Sequence, residues 1–237
     1  MEHTIETAAF YRPLVLALAC LSTPLFAQAE AVQSLQSSIN LQAAQTMLVP
    51  EAPDMETTRR LLSEKPRMLS YEVKSGTESG WITLSASCES AYAASATTIE
   101  KILENYVGAP KIFSRIDWVR IVDRLPDGAI TEQSSGIKAF GLKFYPVTRF
   151  HQWTSRDADY INMNFIQVAS GGTLKNCYGA YSVADRSTAD SPLCYFHYSI
   201  SFEARLEFPG QEAIMRNFGA ADIERVVTEL GEAAKAH

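Results

Sequence analysis

The sequence predicts an α+β protein in which an antiparallel β-sheet faces one long carboxy-terminal α-helix. Three observations predict it. Six segments after residue 115 read as long strands, and in the last of them apolar and polar residues alternate with the two-residue period of a strand. The connections between them are short and rich in Gly, Pro, Asp and Ser, which favours a meander of sequential antiparallel neighbours. After the last strand, Pro209 and Gly210 open a stretch to about Ala236 whose apolar residues recur at helical spacing.

The amino terminus reads as a targeting segment. Arg12 precedes the apolar run Leu14-Val15-Leu16-Ala17-Leu18-Ala19-Cys20-Leu21, and Ala27-Gln28-Ala29 supplies a small-x-small cleavage site. Residues 1–29 are therefore expected to be a signal peptide cleaved after Ala29. The apolar run falls short of the roughly 20 residues that a spanning helix needs. An uncleaved anchor, or a lipoprotein through Ala17-Leu18-Ala19-Cys20, is the competing reading. Residues 30–66 read as a polar leader or linker, with Gln33, Gln36, Gln42 and Gln45 and a Pro50-Glu51-Ala52-Pro53 stretch. Residues 55–62 could form a turn or two of helix. The folded domain is expected over 67–237.

From Met68 the period becomes two: Leu69, Tyr71 and Val73 alternate with Ser70, Glu72 and Lys74. Gly76 to Gly80 supply turn chemistry, so this strand forms a hairpin with the next, over 81–88. Thr97 and Glu100 have the spacing of a capping box, and Ile99, Ile102, Leu103 and Tyr106 follow at i, i+3, i+4 and i+7. Gly108 and Pro110 end that helix. The meander strands are predicted at 116–123, 130–140, 143–153, 159–169, 174–183 and 193–208. In the terminal helix Ile214, Met215, Phe218, Ile223, Val226, Val227 and Leu230 populate one broad face.

Composition excludes some functions. The 237 residues are 46% hydrophobic and 20% charged, with a net charge of −6 and no basic run. Phosphate neutralisation needs clustered Lys and Arg, so no nucleic-acid partner is expected. Loss of residues 1–29 removes Arg12, Glu2 and Glu6 and leaves the balance negative. No other segment is long and apolar enough to span a membrane, so a secreted, periplasmic location is expected.

The remaining histidines, His151, His197 and His237, lie in separate segments without a carboxylate or Cys at ligand spacing, so no metal site is expected. Asp157-Ala158-Asp159 sits where a solvated turn explains it. No Gly-x-Ser-x-Gly elbow, Cys-x-x-Cys pair or phosphate-cradling glycine loop occurs, and no cofactor is implied. Arg149, His151, Trp153 and Tyr160 are the candidates for acid–base work in a cavity. The competing reading places Arg149 and His151 on the polar outer face of a strand.

The order strand, helix, six strands, long helix resembles the START-like helix-grip superfamily, also called SRPBCC. Its members include polyketide cyclase and dehydrase-like proteins, lipid-transfer START domains and coenzyme Q-binding proteins. The resemblance covers residues 80–237 and is carried by the strand at 81–88, the helix and connection at 95–113, Ile116-Asp117-Trp118-Val119-Arg120-Ile121-Val122, the last hairpin and the terminal helix. It implies a curved sheet of about six or seven strands wrapped around that helix, with an apolar cavity between them. The leader and the Met68 strand depart from the minimal pattern.

Alternation in the last strand puts Cys194, Phe196, Tyr198, Ile200, Phe202, Ala204 and Leu206 on one face, which the resemblance turns toward the helix. A loop centred near Thr188 would add Tyr178, Ala180 and Ser182. The expected cavity lining is Tyr178, Phe196, Tyr198, Ile200, Phe202, Met215, Phe218 and Val226, against the alternative that these residues form a filled core. The family's pairing of first and last strands also implies that Cys88 and Cys194 approach closely enough for a disulfide. Three buried thiols acting as small hydrophobes is the other reading.

The expected function is periplasmic binding or transport of a hydrophobic small molecule such as a lipid, quinone or isoprenoid. A cyclase or hydrolase using the same cavity is one alternative. The other is a cell-envelope interaction module, whose leader would dock on an envelope partner or membrane surface.

Overall fold

The computed structural model describes residues 49–237 apart from Thr77, Phe140, Gly141, Tyr145, Gly171, Phe208 and His237. The signal-peptide reading of residues 1–29, with Cys20, and the leader up to residue 48 lie outside the described residues.

Fourteen elements follow in chain order: α1 (Met55–Leu62), β1 (Arg67–Ser75), β2 (Trp81–Tyr92), α2 (Ala96–Glu104), a 3₁₀ turn (Tyr106–Lys111), β3 (Ile116–Leu125), β4 (Gly128–Ser135), β5 (Ile137–Ala139), β6 (Leu142–Phe144), β7 (Val147–Arg156), β8 (Ile161–Ser170), β9 (Leu174–Asp185), β10 (Cys194–Arg205) and α3 (Gln211–Lys235). Eight strands form one antiparallel sheet in the order β1-β2-β10-β9-β8-β7-β4-β3, and β5 pairs with β6 as a separate ribbon. The meander and the terminal helix are as predicted.

The strand count exceeds the expected six or seven because β1 adds an edge beyond β2, and because the predicted strands at 130–140 and 143–153 break. The break has a local cause. The Ser135 N–H still donates to Pro146 O at 3.3 Å, but Pro146 has no N–H to return, so the β4–β7 ladder stops there. Between them the chain folds back on itself as β5 and β6.

The helices show what sequence patterns capture and miss. In α2 the N-cap is Ser95, two residues ahead of the predicted Thr97, and its Oγ accepts from Thr98 N at 3.2 Å. The earlier start buries Ala96 in the first turn with Ile99 and Ile102. Glu100, expected to close the capping box, instead pairs with Arg156 of β7. Within the predicted leader, α1 forms, capped by Asp54, whose carboxylate accepts from Thr57 N at 2.7 Å. Leu61 of α1 is buried with Tyr160, Ala184 and Tyr195 on the outer face of the sheet.

α3 begins at Gly210, whose φ of 85° is the left-handed conformation that glycine adopts freely. Its buried residues include Met215, Ile223, Val227, Leu230 and Ala234. Phe218, predicted on this face, is 56% exposed. On a helix it falls about 60° beyond Met215, on the side away from Ile223, so the buried stripe is narrower than the apolar one. Two tyrosines fix α3 to the sheet: Tyr71 of β1 donates to Met215 O, and Tyr92 of β2 donates to Val227 O at 2.7 Å. Gly231 allows the close approach at Tyr92, because a Cβ there would lie 2.8 Å from the ring.

Candidate ligand cavity

The concave face of the sheet and α3 enclose a cavity of about 300 Å³. Its position follows from strand parity. Every second residue of β10 from Tyr198 to Ala204 faces α3, and Cys177 and Tyr181 of β9, Phe165 of β8 and Phe150 of β7 continue that surface across the sheet. Met215 and Val226 form the helical wall, with Leu103 and the 3₁₀ turn at one side. Twist carries β3 and β4 away from the helix, and the aromatic rings of the middle strands line the space without filling it.

Five of the predicted lining residues are in the wall: Tyr198, Ile200, Phe202, Met215 and Val226. Three are not. Phe196 faces the helix but is fully buried deeper in the core, 5.3 Å from the ring of Tyr92. Phe218 points outward, as described above. Tyr178 is on the opposite face, because the β9–β10 register pairs Tyr198 with Tyr181, Ile200 with Gly179 and Ser201 with Tyr178.

The predicted loop centre near Thr188 is in fact between Ala189 and Asp190, with Asp185 paired to Cys194. That shift changes the pairing by an odd number and turns β9 over. Gly179 fits the inward position because a Cβ there would lie 2.5 Å from the Phe165 ring. Phe150, Phe165 and Tyr181 are among the wall residues the sequence reading missed; the alternation of β7 and β8 carries the first two, whereas Tyr181 depends on the register.

Tyr181 and Tyr198 stack at 4.8 Å and 9°, and their hydroxyls hydrogen-bond. Burial pushes Tyr181 up to about 12 and Tyr198 well above the usual phenol value, so both remain neutral. Burial also pushes up the Cys177 thiol in the same wall.

Most polar wall residues gather at one end, whereas Gln152 lies toward the other and donates to Thr131 at 2.6 Å. Arg115, Ser135, Thr173, Arg205 and Gln211 line the cavity where β4 and β10 end, where β3 and β7 begin, and where α3 starts. The antiparallel register places all those termini at the same edge of the sheet. Arg115 pairs with Asp222 of α3, which also has Arg225 at 3.5 Å. Among the wall residues at this end, two buried polar atoms have no hydrogen-bond partner: Arg115 Nε and Thr173 Oγ1.

The candidate acid–base residues lie elsewhere. In β7, Phe150 and Gln152 face the cavity, so Arg149, His151 and Trp153 face away. Arg149 Nε donates to Glu132 at 2.7 Å, and Glu132 also pairs with Arg120. His151 lies against Trp153, with ring centres 4.9 Å apart. Tyr160 donates to Pro50 O at 2.7 Å in the outer cluster with α1.

Of the two readings of the cysteines, the structure has the buried thiols: Cys88, Cys177 and Cys194 are free and buried, with no Cys88–Cys194 bond. Cys88 is opposite Tyr198, and Cys194 is opposite Tyr92, four residues along β2. That offset is about 13 Å at strand spacing, beyond the reach of a disulfide.

The outer face of β2 and β10 carries a second polar arrangement. His197 is 1% exposed, with Nε2 2.8 Å from Ser87 Oγ and Nδ1 unpartnered. Loss of water pushes its imidazole down to about 4, against a smaller opposing influence from Glu89. Glu89 accepts from the Tyr195 hydroxyl at 2.7 Å and pairs with Arg67. Among the described residues, no group of three or more His, Cys, Asp or Glu could hold a metal ion, and no helix is long and apolar enough to cross a membrane.

No family model and no curated protein matches the sequence. Solved structures do match. A fragment of a STAR-related lipid transfer protein from Xanthomonas axonopodis is 10% identical, with a TM-score of 0.50 over 70% of this chain and 98% of its own. A START superfamily protein from Mycobacterium smegmatis is 15% identical, with a TM-score of 0.49 over 64% and 97% of the two chains. A protein from Thermus thermophilus gives 11%, 0.48, 64% and 97%. Likeness at such identities speaks to architecture. With β2 beside β10 and an antiparallel sheet around a terminal helix, this chain has the START-like helix-grip fold.

Proposed function

We propose that this protein is a periplasmic carrier that binds a hydrophobic small molecule, of the lipid, quinone or isoprenoid kind, between the sheet and α3. The observation that carries the reading is the unfilled, mainly apolar space of about 300 Å³ inside an otherwise packed core. Interiors normally close such gaps, and pockets of this size and lining are where small ligands bind. Each 100 Å² of apolar ligand surface removed from water contributes about 2.5 kcal/mol before the costs of association. Likeness to a structure described as a STAR-related lipid transfer protein supports the same reading. The apolar run and small-residue site before Glu30 support the location.

Native mass spectrometry of the protein purified from its host's envelope, followed by organic extraction, tests the proposal. The expected result is one apolar molecule per chain. A ligand-free spectrum, together with no uptake of an apolar fluorescent probe, overturns it.

A further inference from the structure

We infer that the polar end of the cavity holds a single anionic head group, so that the occupant is a one-chain amphiphile of the fatty-carboxylate class. The inference rests on the cavity being a ligand site and adds the chemistry of the ligand. Its support is Arg115. This guanidinium is at the edge where the cavity walls end, its side chain is 18% exposed, and its Nε is buried without an acceptor. A guanidinium N–H removed from water and left unpaired is costly, and an acceptor oxygen from a ligand would relieve it.

Asp222 does not supply that oxygen. It engages the other arm of Arg115 and is shared with Arg225. Glu229, two turns further along α3, accepts the Ser114 backbone N–H at 3.1 Å. Thr173, at the β8–β9 turn, is on the same edge but four strands from Arg115, and its buried hydroxyl is a separate polar point of the wall. The unpaired guanidinium N–H at one end, with stacked aromatics and aliphatic side chains beyond it, matches a head with acceptor oxygens and an apolar tail. The volume of about 300 Å³ is at the small end of ligand pockets, which favours one chain over two.

The test compares cis-parinaric acid with its methyl ester, which keeps the chain and removes the charge, by fluorescence titration of the delipidated protein. The expected result is at least tenfold tighter binding of the acid. Arg115→Met is expected to abolish that preference while ester affinity stays within about twofold, a measure of intact fold and cavity. Equal binding of acid and ester by the unaltered protein, or an acid preference that survives Arg115→Met with ester binding intact, overturns the head-group inference and leaves the carrier reading standing. Failure of both ligands to bind overturns both.

Discussion

The two halves of α3 meet one sheet in opposite ways. Toward its carboxy terminus, Val227 and Leu230 are fully buried and Ala234 nearly so; Gly231 touches the Tyr92 ring, and the Tyr92 hydroxyl holds Val227 O. Toward its amino terminus, Met215 borders open space and Phe218 points outward, and the cavity reaches along the helix as far as Val226. The closed half meets β2 and α2, where small residues let the backbones approach. The open half spans the region where twist has carried the far strands away. The difference teaches that one core can divide its tasks: one end fixes the position of the helix, and the other keeps room for a guest.

The largest effect should come from the closed half. Leu230→Ala removes a fully buried side chain from a packed site, and such truncations cost about 2–5 kcal/mol. Urea unfolding should show this loss, while probe binding survives wherever the variant is folded. Loss of binding with little change in stability would break the division between the halves.

The β2–β10 pair that supports the closed half is buried on its outer face as well, and His197 makes that testable by pH. As pH falls through about 6.5 the unfolded chain takes up a proton at His197, whereas the folded chain resists until about 4. The unfolded state therefore binds more protons in that window, and stability declines as pH drops through it. The decline attributable to this group is about 3 kcal/mol. His197→Gln should be less stable at pH 7, where the bond to Ser87 is altered, yet lose less between pH 6.5 and 4. An unchanged slope would show that His197 is not shielded from water.

How much of this was legible follows from which interactions are local. The β10 parity was readable because Phe196, Tyr198, Ile200 and Phe202 alternate with polar residues over the whole strand. The face of β9 was not, because it depends on an eight-residue loop whose centre one residue's difference moves, and the slip exchanged Tyr178 for Tyr181. Phe218 was misread because an apolar residue at helical spacing marks a stripe without its edges. Arg115 was invisible as a site residue: its role depends on Asp222, more than a hundred positions away. The cavity itself is a deficit of packing, and no single residue encodes a deficit.

A smaller stability effect, and the converse of Leu230→Ala, is expected from Val226, where the helix borders the open space. Val226→Phe extends a wall residue into existing space, so its stability should stay within about 1 kcal/mol of the parent. Apolar probe affinity should fall at least tenfold, because the added ring occupies the volume a ligand needs. A strong loss of stability with binding preserved would mean that this wall is already filled, and the contrast between the halves would fail.

The thiols provide the finest test, one in which stability should not change at all. Cys88 and Cys194 belong to the closed core, and Cys177 lines the cavity. Burial pushes the first two up to about 12 and raises the third as well, so all three are protonated and slow to react at pH 8. Denaturation should expose all three to a thiol reagent. A reducing agent should shift the unfolding midpoint by no measurable amount, whereas a bond closing a loop of roughly a hundred residues would contribute about 4–5 kcal/mol. In the folded protein a small apolar maleimide should reach Cys177 first, and bound ligand should slow it there. If Cys88 or Cys194 reacts first, the open space is at the other end of the core, and the assignment of packing to one half and binding to the other reverses.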